Sequence, residues 1–543
     1  MFPNTYALAT ANLGFQTVYS LFNAMDLVSC ERIVMPEKAG ETVKSLESGL
    51  QLSSFDILAF SLSFENDYPR IPEMLHSAGI PFFRNKRKET HPLIMAGGIA
   101  TFLNPEPVAD FFDLFLVGEA EVLTHSFFDL YLRHMDLKKS ELCMTIASSM
   151  EGVYAPEFYH PIRNTDGRIL GLSAEAGLPQ RIRKVSDRDI GTKITASPIL
   201  SPSSAFPNTF LVEVSRGCPH GCRFCSAGFV YRPPRFREPE ILEKAVAMGR
   251  ERGAKIGLLG TSVSDFKKID GICEQAKENE LVLSFSSLRA DGLSPALLKA
   301  LEAGKVQTAT IAPEAGSERL RKVINKGLSE KSILDAAEKL VEAGIPNLKL
   351  YFMIGLPEEE EEDLQAIKDL VLKIKDRFLE ASRKKGYMGD ITLGVSPFVP
   401  KPFTPFQWSA MEDEKKLSSA LADFRKSFAP VPNIRFHAEN PKSSVIQAIL
   451  ARGDRDVSQL IAALWQSGGK LGKALALANF DPAPYLKERS LKDWLPWEII
   501  DHGLKRSFLE NEFLRSQQAK SSPACPMKAC ETCGICREEP NSP

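Results

Sequence analysis

Short apolar runs separated by amphipathic stretches constrain the fold of this chain more than any other feature. In the middle of the sequence, the runs occupy residues 210–214, 255–259, 281–285, 308–311, 348–353 and 391–395. Continuous apolar runs of this length are typical of strands that are buried on both faces of a parallel sheet. Amphipathic segments such as residues 239–251 and 330–343 lie between them and predict helices. This repeated unit predicts an α/β fold, a partial (βα)6 TIM-type barrel with its chemistry at the C-terminal strand ends.

The N-terminal part of the chain shows the same alternation on a smaller scale. Its apolar runs occupy residues 32–35, 56–62, 92–95 and 113–117. They predict a small, doubly wound, Rossmann-like domain. Ligands bind at the carboxyl ends of the strands in such sheets, where small residues let a ligand approach the backbone. The candidate cofactor-binding residues at these ends are Ser61, Ser63, Gly97 and Gly98, followed by Gly118 after the next strand.

The length of the chain predicts several domains. A chain of 543 residues is too long for one hydrophobic core. Shifts in pattern and composition predict a Rossmann-like domain, a linker rich in proline, glycine and basic residues, the barrel, a helical region and a polar tail. Their bounds are 1–138, 139–205, 206–430, 431–515 and 516–543.

Composition narrows the class of protein. Hydrophobic residues make up 43% of the chain, charged residues make up 25%, and the net charge is −2. The chain therefore has no general basic field for a polyanion. Residues 180–184 and the pair Arg235 and Arg237 are candidates for a local RNA-binding patch, or for ordinary solvated faces. Without a long apolar run or a signal peptide, we expect a cytoplasmic protein with no membrane partner.

Three closely spaced cysteines follow the first barrel strand. Cys218, Cys222 and Cys225 can hold a cubane iron–sulfur cluster from one loop and leave one iron open. An open coordination position is typical of a catalytic metal centre. The alternative is a zinc knuckle, which needs a fourth ligand nearby, and His220 is poorly placed for that role.

The run from Glu213 to Gly228, with Phe224 before its last cysteine, resembles the cluster loop of the radical S-adenosylmethionine (radical SAM) superfamily. The resemblance implies that the open iron binds S-adenosylmethionine and that an electron from the cluster cleaves it to a 5'-deoxyadenosyl radical. It also implies cofactor contacts at later strand ends, although each such residue is also compatible with a turn or helix cap. These candidates are Phe224, Gly260, Thr261, Ser286, Arg289, Glu314 and Gly355, of which Arg289 and Glu314 are the catalytic candidates.

Residues 11–16, 61–68 and 96–100 resemble the cobalamin-binding domain that precedes many radical SAM cores. The histidine signature that ligates cobalt is absent, and Asn12 stands near its place. The strand that opens such a domain is also missing, which predicts either a sheet one strand short or a start that omits it. The resemblance implies cobalamin binding without a lower ligand from the protein; the alternative is a domain that docks the substrate.

A second cysteine group lies near the end of the sequence. Cys525, Cys530, Cys533 and Cys536 supply four thiolates, which suit a second [4Fe–4S] cluster or a zinc ion. A complete cysteine set leaves no open iron, so we expect electron transfer or a structural role. The other cysteines, Cys30, Cys143 and Cys273, are predicted to be small core residues.

These features together predict a radical SAM enzyme that transfers a methyl group to an unactivated carbon with the help of cobalamin. Sulfur insertion or rearrangement, with RNA as one possible substrate, and a non-catalytic iron–sulfur sensor are the alternatives. The substrate class stays open between small molecule, peptide and RNA. We expect a reductase, flavodoxin or ferredoxin as electron donor. The proline-rich residues 396–408 either line a substrate channel or pack over the barrel mouth.

Overall fold

The chain forms two compact units in a computed structural model that describes residues 1–38, 40–527 and 530–536. The first unit contains residues 1–188, 197–208 and 446–503. The second unit contains residues 189–196, 209–445 and the described residues from 504 onward. Each unit is thus assembled from separate stretches of sequence, whereas the sequence pattern divides the chain into consecutive segments.

Strands are short and spread along the whole chain. In chain order they are β1 (Ile57–Ser61), β2 (Leu93–Gly97), β3 (Leu114–Leu116), β4 (Val153–Tyr154), β5 (Tyr159–Arg163), β6 (Ile169–Ala174), β7 (Ile182–Arg183), β8 (Thr209–Glu213), β9 (Ser215–Arg216), β10 (Arg235–Phe236), β11 (Lys255–Leu259), β12 (Leu283–Phe285), β13 (Thr308–Glu314), β14 (Asn347–Ile354), β15 (Ile391–Pro397), β16 (Ile434–Ala438) and β17 (Ile500–Asp501).

Helices occupy most of the segments between the strands. In chain order they are α1 (Tyr6–Ala9), α2 (Leu13–Asn23), α3 (Arg70–Ser77), α4 (Ile99–Leu103), α5 (Ala120–His134), α6 (Lys139–Ser149), α7 (Pro239–Glu251), α8 (Ile269–Glu278), α9 (Pro295–Ala303), α10 (Glu318–Val323), α11 (Glu330–Glu342), α12 (Glu361–Lys385), α13 (Glu414–Phe428), α14 (Pro441–Arg452), α15 (Val457–Gln466), α16 (Leu471–Ala478), α17 (Ala483–Leu486) and α18 (Arg506–Gln517). Among the described residues, none of the helices is both long and apolar enough to cross a membrane.

The first unit contains a sheet with strand order β1–β2–β3–β4, in which the first three strands are parallel and β4 is antiparallel to β3. Three of its predicted strands are confirmed, because β1, β2 and β3 lie within or beside the predicted apolar runs. The prediction for residues 32–35 is wrong. Ile33 and Val34 make only isolated bridges, to Ser45 and Phe2, and Pro36 follows directly.

Residues 139–205, predicted to be a linker, contribute largely to the first unit. They contain α6, β4, the β5–β6 hairpin and β7. Strand β7 pairs with β17 in parallel, and β17 comes from the other end of the chain. Helix α15 belongs to the same unit and is buried along most of its length, from Val457 to Leu464. An apolar helix of this kind needs partners on nearly all sides, which the sequence alone does not identify.

The second unit contains the predicted barrel strands, in two parallel sheets. One sheet has the order β12–β11–β8 and the other has the order β13–β14–β15–β16. All six predicted strands are confirmed. The structure adds β16, beyond the predicted end of the barrel at residue 430. The sequence pattern missed β16 because Ile-Arg-Phe-His-Ala alternates in polarity, as an edge strand with one polar face does, and has no continuous apolar run.

Candidate active site

The cysteine loop follows β8 and is closed at its base by the antiparallel pairing of β9 with β10. Two glycines allow the loop to fold tightly on itself. A Cβ atom at Gly228 would lie 2.4 Å from the carbonyl oxygen of His220, and one at Gly217, whose φ is +90°, would lie 2.7 Å from that of Tyr231. No other residue type fits these approaches without displacing the backbone. The loop therefore gathers its three cysteines at the carboxyl end of β8.

The three thiols of this loop are shielded from solvent. Cys222 is buried, and Cys218 and Cys225 are partly buried. Burial, together with the charges of the neighbouring thiolates, raises the pKa of Cys218 to about 12 and that of Cys222 to about 11. A bound metal centre would instead lower the pKa of these thiols, because its positive charge favours the thiolate form.

His220 is not available as a fourth ligand in this structure. Its Nε2 atom lies 2.7 Å from Oδ2 of Asp265, and this contact keeps the imidazole ring from acting as a ligand beside the thiols. In the part of the chain that the structure describes, no three His, Cys, Asp or Glu side chains converge on one point. Cubane ligands bind separate irons, so their sulfurs need not converge on a single ion. Three thiols with no fourth ligand among the described residues fit an iron–sulfur cluster with one open iron.

Polar groups surround the loop at the ends of the next two strands. The Ser286 hydroxyl donates to the Gly260 carbonyl at 3.0 Å, and the Gly260 amide donates to that hydroxyl at 3.1 Å. The Thr261 hydroxyl donates to the Gly217 carbonyl at 2.5 Å, within the cysteine loop. Thr261 and Ser286 are exposed. The structure therefore brings these three predicted residues together beside the cysteines, with exposed hydroxyls that can meet a polar cofactor.

Arg289 lies near the loop but already has a carboxylate partner. Its Nε and Nη2 atoms donate to the two carboxylate oxygens of Asp291, both at 2.9 Å. Its charge also acts on Cys222. Pairing with a cofactor carboxylate, as predicted, would require Arg289 to exchange or share the Asp291 contact.

Glu314 forms an ion pair with Lys326, whose Nζ atom lies 3.0 Å from Oε1 of Glu314. Glu314 has a φ of +68° and follows an irregularity in the pairing of β13 with β14. A positive φ is uncommon for a residue other than glycine and often accompanies a functional site. The Lys326 charge lowers the pKa of Cys222 and of Cys225, against the effect of burial. The sequence reading did not single out Lys326.

Gly355 and Phe224 have different surroundings. Gly355 has a φ of +73° after β14, and its amide donates to the Glu359 carboxylate at 2.7 Å. Burial raises the pKa of Glu359 to about 7. Gly355 is a residue that the resemblance assigns to a cofactor contact, and its amide is thus occupied by a side chain of the protein. Phe224 is half-buried in the cysteine loop.

The candidate cobalamin residues of the first unit contact the chain itself. Asn12 caps α2 and donates to the Ser63 hydroxyl at 3.0 Å. A Cβ atom at Gly98 would lie 2.5 Å from the Leu62 carbonyl oxygen.

The same holds one strand further on, where a Cβ atom at Gly118 would lie 2.3 Å from the Val185 carbonyl oxygen. Both glycines therefore make room for another segment of backbone, and their contact with a cofactor stays a prediction. Ser61 and Gly97 end their strands as predicted and pair with each other in register.

The sequence reading missed Arg223, which lies between Cys222 and Cys225. Its guanidinium is fully buried and donates to the Glu512 carboxylate of α18 at 3.0 Å. It also donates to the carbonyls of Lys322, Val323 and Lys520. In the sequence, the only sign of this role is that an arginine stands inside the cysteine motif. Its partner, Glu512, lies 289 residues away.

Two further predictions have a definite outcome in the structure. The aromatic side chains of the proline-rich segment are buried: Phe398, Phe406 and Trp408 are at most 2% exposed, so they pack and do not line a channel. Arg237, a candidate for a basic patch, is buried and donates to the carbonyls of Ile190 and Lys193. A buried arginine that donates to carbonyls inside the protein cannot serve as a surface contact for RNA.

The lone cysteines are small packing residues in two of three cases. Cys143 and Cys273 are buried, each 2% exposed, as predicted. Cys30 is only half-buried.

Comparison with known proteins identifies the family. Residues 212–371 match the family described as the radical SAM superfamily, and residues 14–156 match the family described as radical SAM proteins, N-terminal. The chain belongs to the radical SAM superfamily of enzymes. Membership implies a [4Fe–4S] cluster and S-adenosylmethionine as cofactors, which agrees with the three-thiol donor set.

A protein of Methanocaldococcus jannaschii, itself uncharacterized, is 32% identical over 426 residues, which is 77% of this chain and 82% of that protein. The tRNA-2-methylthio-N(6)-dimethylallyladenosine synthase of Natranaerobius thermophilus is 28% identical over 178 residues, which is 30% of this chain but only 39% of that enzyme. Among solved structures, the chain is similar to the cobalamin-dependent S-adenosylmethionine radical enzyme OxsB. The match covers 93% of this chain and 76% of the OxsB chain, with 15% identity and a TM-score of 0.47. A likeness at this score does not establish a shared cofactor.

Proposed function

We propose that the protein cleaves S-adenosylmethionine reductively and uses the radical on a substrate bound at the second unit. One observation carries this proposal: the loop with Cys218, Cys222 and Cys225 follows β8 with three thiols, and its His220 is engaged by Asp265. When bound there, a [4Fe–4S] cluster supplies the electron and the open iron that the cleavage needs.

The residues around the loop bind the cofactor, balance the charge of the thiolates and exclude a competing ligand. The exposed hydroxyls of Thr261 and Ser286 bind polar groups of the cofactor beside the loop. The Lys326 ammonium, held by Glu314, balances the negative charge of the thiolates in a buried setting. Asp265 keeps His220 from competing as a ligand.

For the reaction class, methyl transfer to an unactivated carbon is the leading candidate. Cobalamin assistance is a finer part of the same hypothesis, supported by the parallel sheet of the first unit and its Ser-Leu-Ser and Gly-Gly strand ends. The chain's own contacts at Gly98 and Gly118 count against it. The second candidate is sulfur insertion, which the second cysteine set and the likeness to a methylthio-transferring tRNA enzyme favour.

Product analysis tests these proposals. After anaerobic reconstitution of iron and sulfide, we expect dithionite and S-adenosylmethionine to yield 5'-deoxyadenosine. Cys222→Ala should abolish this product, whereas Cys273→Ala, a matched buried cysteine remote from the loop in sequence, should not. A reconstituted protein with a complete cluster that forms no 5'-deoxyadenosine, with or without cell extract, contradicts the proposal.

The reaction class requires separate measurements. Methyl transfer predicts S-adenosylhomocysteine alongside 5'-deoxyadenosine, and cobalamin assistance predicts a protein-bound cobalamin absorption spectrum after incubation with hydroxocobalamin. Absence of that spectrum removes cobalamin from the proposal. Sulfur insertion predicts loss of sulfide from the protein during turnover.

A further inference from the structure

Residues 530–536 of the cysteine-rich tail form a loop beside α18. Cys530 and Cys536 pair as an antiparallel bridge, and the Lys505 amide at the start of α18 donates to the Cys533 carbonyl at 2.9 Å. Cys533 is 5% exposed. Burial, followed by the charges of Cys533, Cys525 and Cys530, raises the pKa of Cys536. The charges of the other three tail thiols therefore all reach Cys536.

A backbone hydrogen bond joins this loop to the first cysteine loop. The Cys525 amide donates to the Pro219 carbonyl at 2.7 Å, and Pro219 follows Cys218 directly. From standard backbone dimensions, the Cα atoms of Cys525 and Cys218 lie within about 11 Å of each other. The two sets of cysteines are thus adjacent in space.

Side chains reinforce this attachment on the other side of the first loop. Asn325 donates to the Gly221 carbonyl at 3.0 Å and accepts from the Ser522 amide at 2.9 Å. The buried Arg223 guanidinium contacts both Glu512 and Ser522. These bonds fix the segment just before Cys525 to the backbone between Cys218 and Cys225.

Arg232 makes a third connection between the first cysteine loop and α18, beside the tail. Its Nε atom donates to the Gly228 carbonyl at 2.6 Å, and its guanidinium lies 5.0 Å from the ring centre of Phe508 on α18. Its charge is close enough to act on Cys530 and Cys536. A cation in this position stabilises added negative charge on a centre held by the tail.

The first cysteine loop and the tail loop also differ in access to solvent. Cys222 is buried, whereas Glu531 and Thr532, which lie between Cys530 and Cys533, are exposed. A protein electron donor that docks on the surface can approach the tail loop closely, and the tail loop touches the first loop.

We propose that Cys525, Cys530, Cys533 and Cys536 hold a second [4Fe–4S] cluster that relays electrons to the cluster site at Cys218, Cys222 and Cys225. This relay rests on the proposed function of the first site. One electron leaves a reduced donor of the flavodoxin class, passes through the tail site and reaches the first site. No bond forms or breaks in this transfer, and the donor is oxidised by one electron.

The test combines metal analysis with reduction kinetics on the full chain. After reconstitution, we expect about eight irons per chain, no zinc, and about four irons in the double variant Cys533→Ala/Cys536→Ala. The variant should keep the spectrum of the first cluster. Its reduction by reduced flavodoxin should slow at least tenfold, while reduction by dithionite, a small molecule, should change little. Cys273→Ala should match the wild type in both measurements.

Several outcomes would overturn the relay. Zinc at the tail, an unchanged iron content in the double variant, or equal rates with flavodoxin would each exclude it. Loss of all iron would also exclude it, because the tail would then be a structural support of the first loop. Electron paramagnetic resonance of the reduced clusters measures the electron transfer without turnover. A failure of the relay can therefore be distinguished from a failure of S-adenosylmethionine cleavage.

Arg232→Met provides a second variant that leaves all ligands in place. Removing this cation should shift the midpoint potential of the tail centre to a more negative value and leave the iron content unchanged. An unchanged potential for both centres would show that Arg232 does not lie beside a redox centre, against the proposed relay.

Discussion

At the scale of single residues, Arg223 illustrates how a cluster loop is held by side chains that are not ligands. Arg223→Met would remove the buried guanidinium that pairs with Glu512 and donates to three carbonyl groups. Removing one partner of a buried ion pair costs about 3–5 kcal/mol of the free energy of unfolding. We expect this loss in urea denaturation of the apoprotein, together with weaker retention of iron.

Arg133→Met is the matched control, because the Arg133–Asp129 pair is exposed and lies along one helix. Pairs of this kind contribute less than about 1 kcal/mol. Equal losses in the two variants would contradict the role assigned to Arg223.

Glu359 gives the protein a predictable dependence on pH. Burial raises its pKa from 4.5 to about 7, so the folded state binds this proton more tightly than the unfolded state. Its contribution to stability is therefore complete below pH 4.5 and is lost as the pH rises through about 7.

Glu359→Gln should remove this dependence. Over that interval we expect the wild type to lose up to about 1.4 kcal/mol per pH unit relative to the variant, measured by denaturation at a series of pH values. Parallel pH profiles would contradict the raised pKa.

Residue identity in the sequence predicted some contacts well and misassigned others. The three cysteines, Gly260 and Ser286 are neighbours, as their positions after consecutive strands suggested. Gly98 makes room for the backbone at Leu62, and a glycine that admits a ligand and a glycine that admits backbone look alike in sequence. Likewise, a buried arginine is indistinguishable from an exposed one until its partners are known.

At the scale of elements, α18 holds the tail against the barrel through an aromatic contact. Phe513 is 7% exposed and lies 5.9 Å from the Trp408 ring, centre to centre. Phe513→Ala should cost about 3–5 kcal/mol locally. We expect faster proteolysis within α18 and the tail, while the barrel resists cleavage.

Leu514→Ala is the control on the same helix, because Leu514 is 44% exposed and faces away from this contact. It should leave the rate of proteolysis nearly unchanged. Similar rates for Phe513→Ala and the wild type would mean that the aromatic contact does not anchor α18.

Elements with a strong local pattern were the ones that the sequence predicted. Strands β8, β11, β14 and β15 are continuous apolar runs, because both faces of a parallel strand are covered. Strand β16 and the hairpin β5–β6 have one or two solvated faces and gave no such run. Their pairing with neighbouring strands, and not their composition, makes them strands.

At the scale of the whole molecule, each unit depends on segments that are distant in sequence. The first unit includes residues 446–503, which supply β17 to β7 and the buried helix α15. A polypeptide of residues 1–208 should therefore aggregate or expose apolar surface, as dye binding and gel filtration would reveal. Joining residues 446–503 to it through a flexible linker should restore a soluble, folded unit; independent folding of 1–208 would contradict this dependence.

The sequence by itself determined the parts that are local. Thiols three and four residues apart must meet in one loop, and apolar runs followed by amphipathic helices must form parallel sheets. The cofactor chemistry and the order of the barrel strands follow from these patterns.

Only the tertiary structure decided which distant segments complete each unit. It also placed the tail cysteines beside the first loop through Arg223, Asn325 and Cys525. The physical reason is that buried polar groups take whichever partners the fold brings to them, and Arg223 meets Glu512 across 289 residues that carry no local signal of the contact.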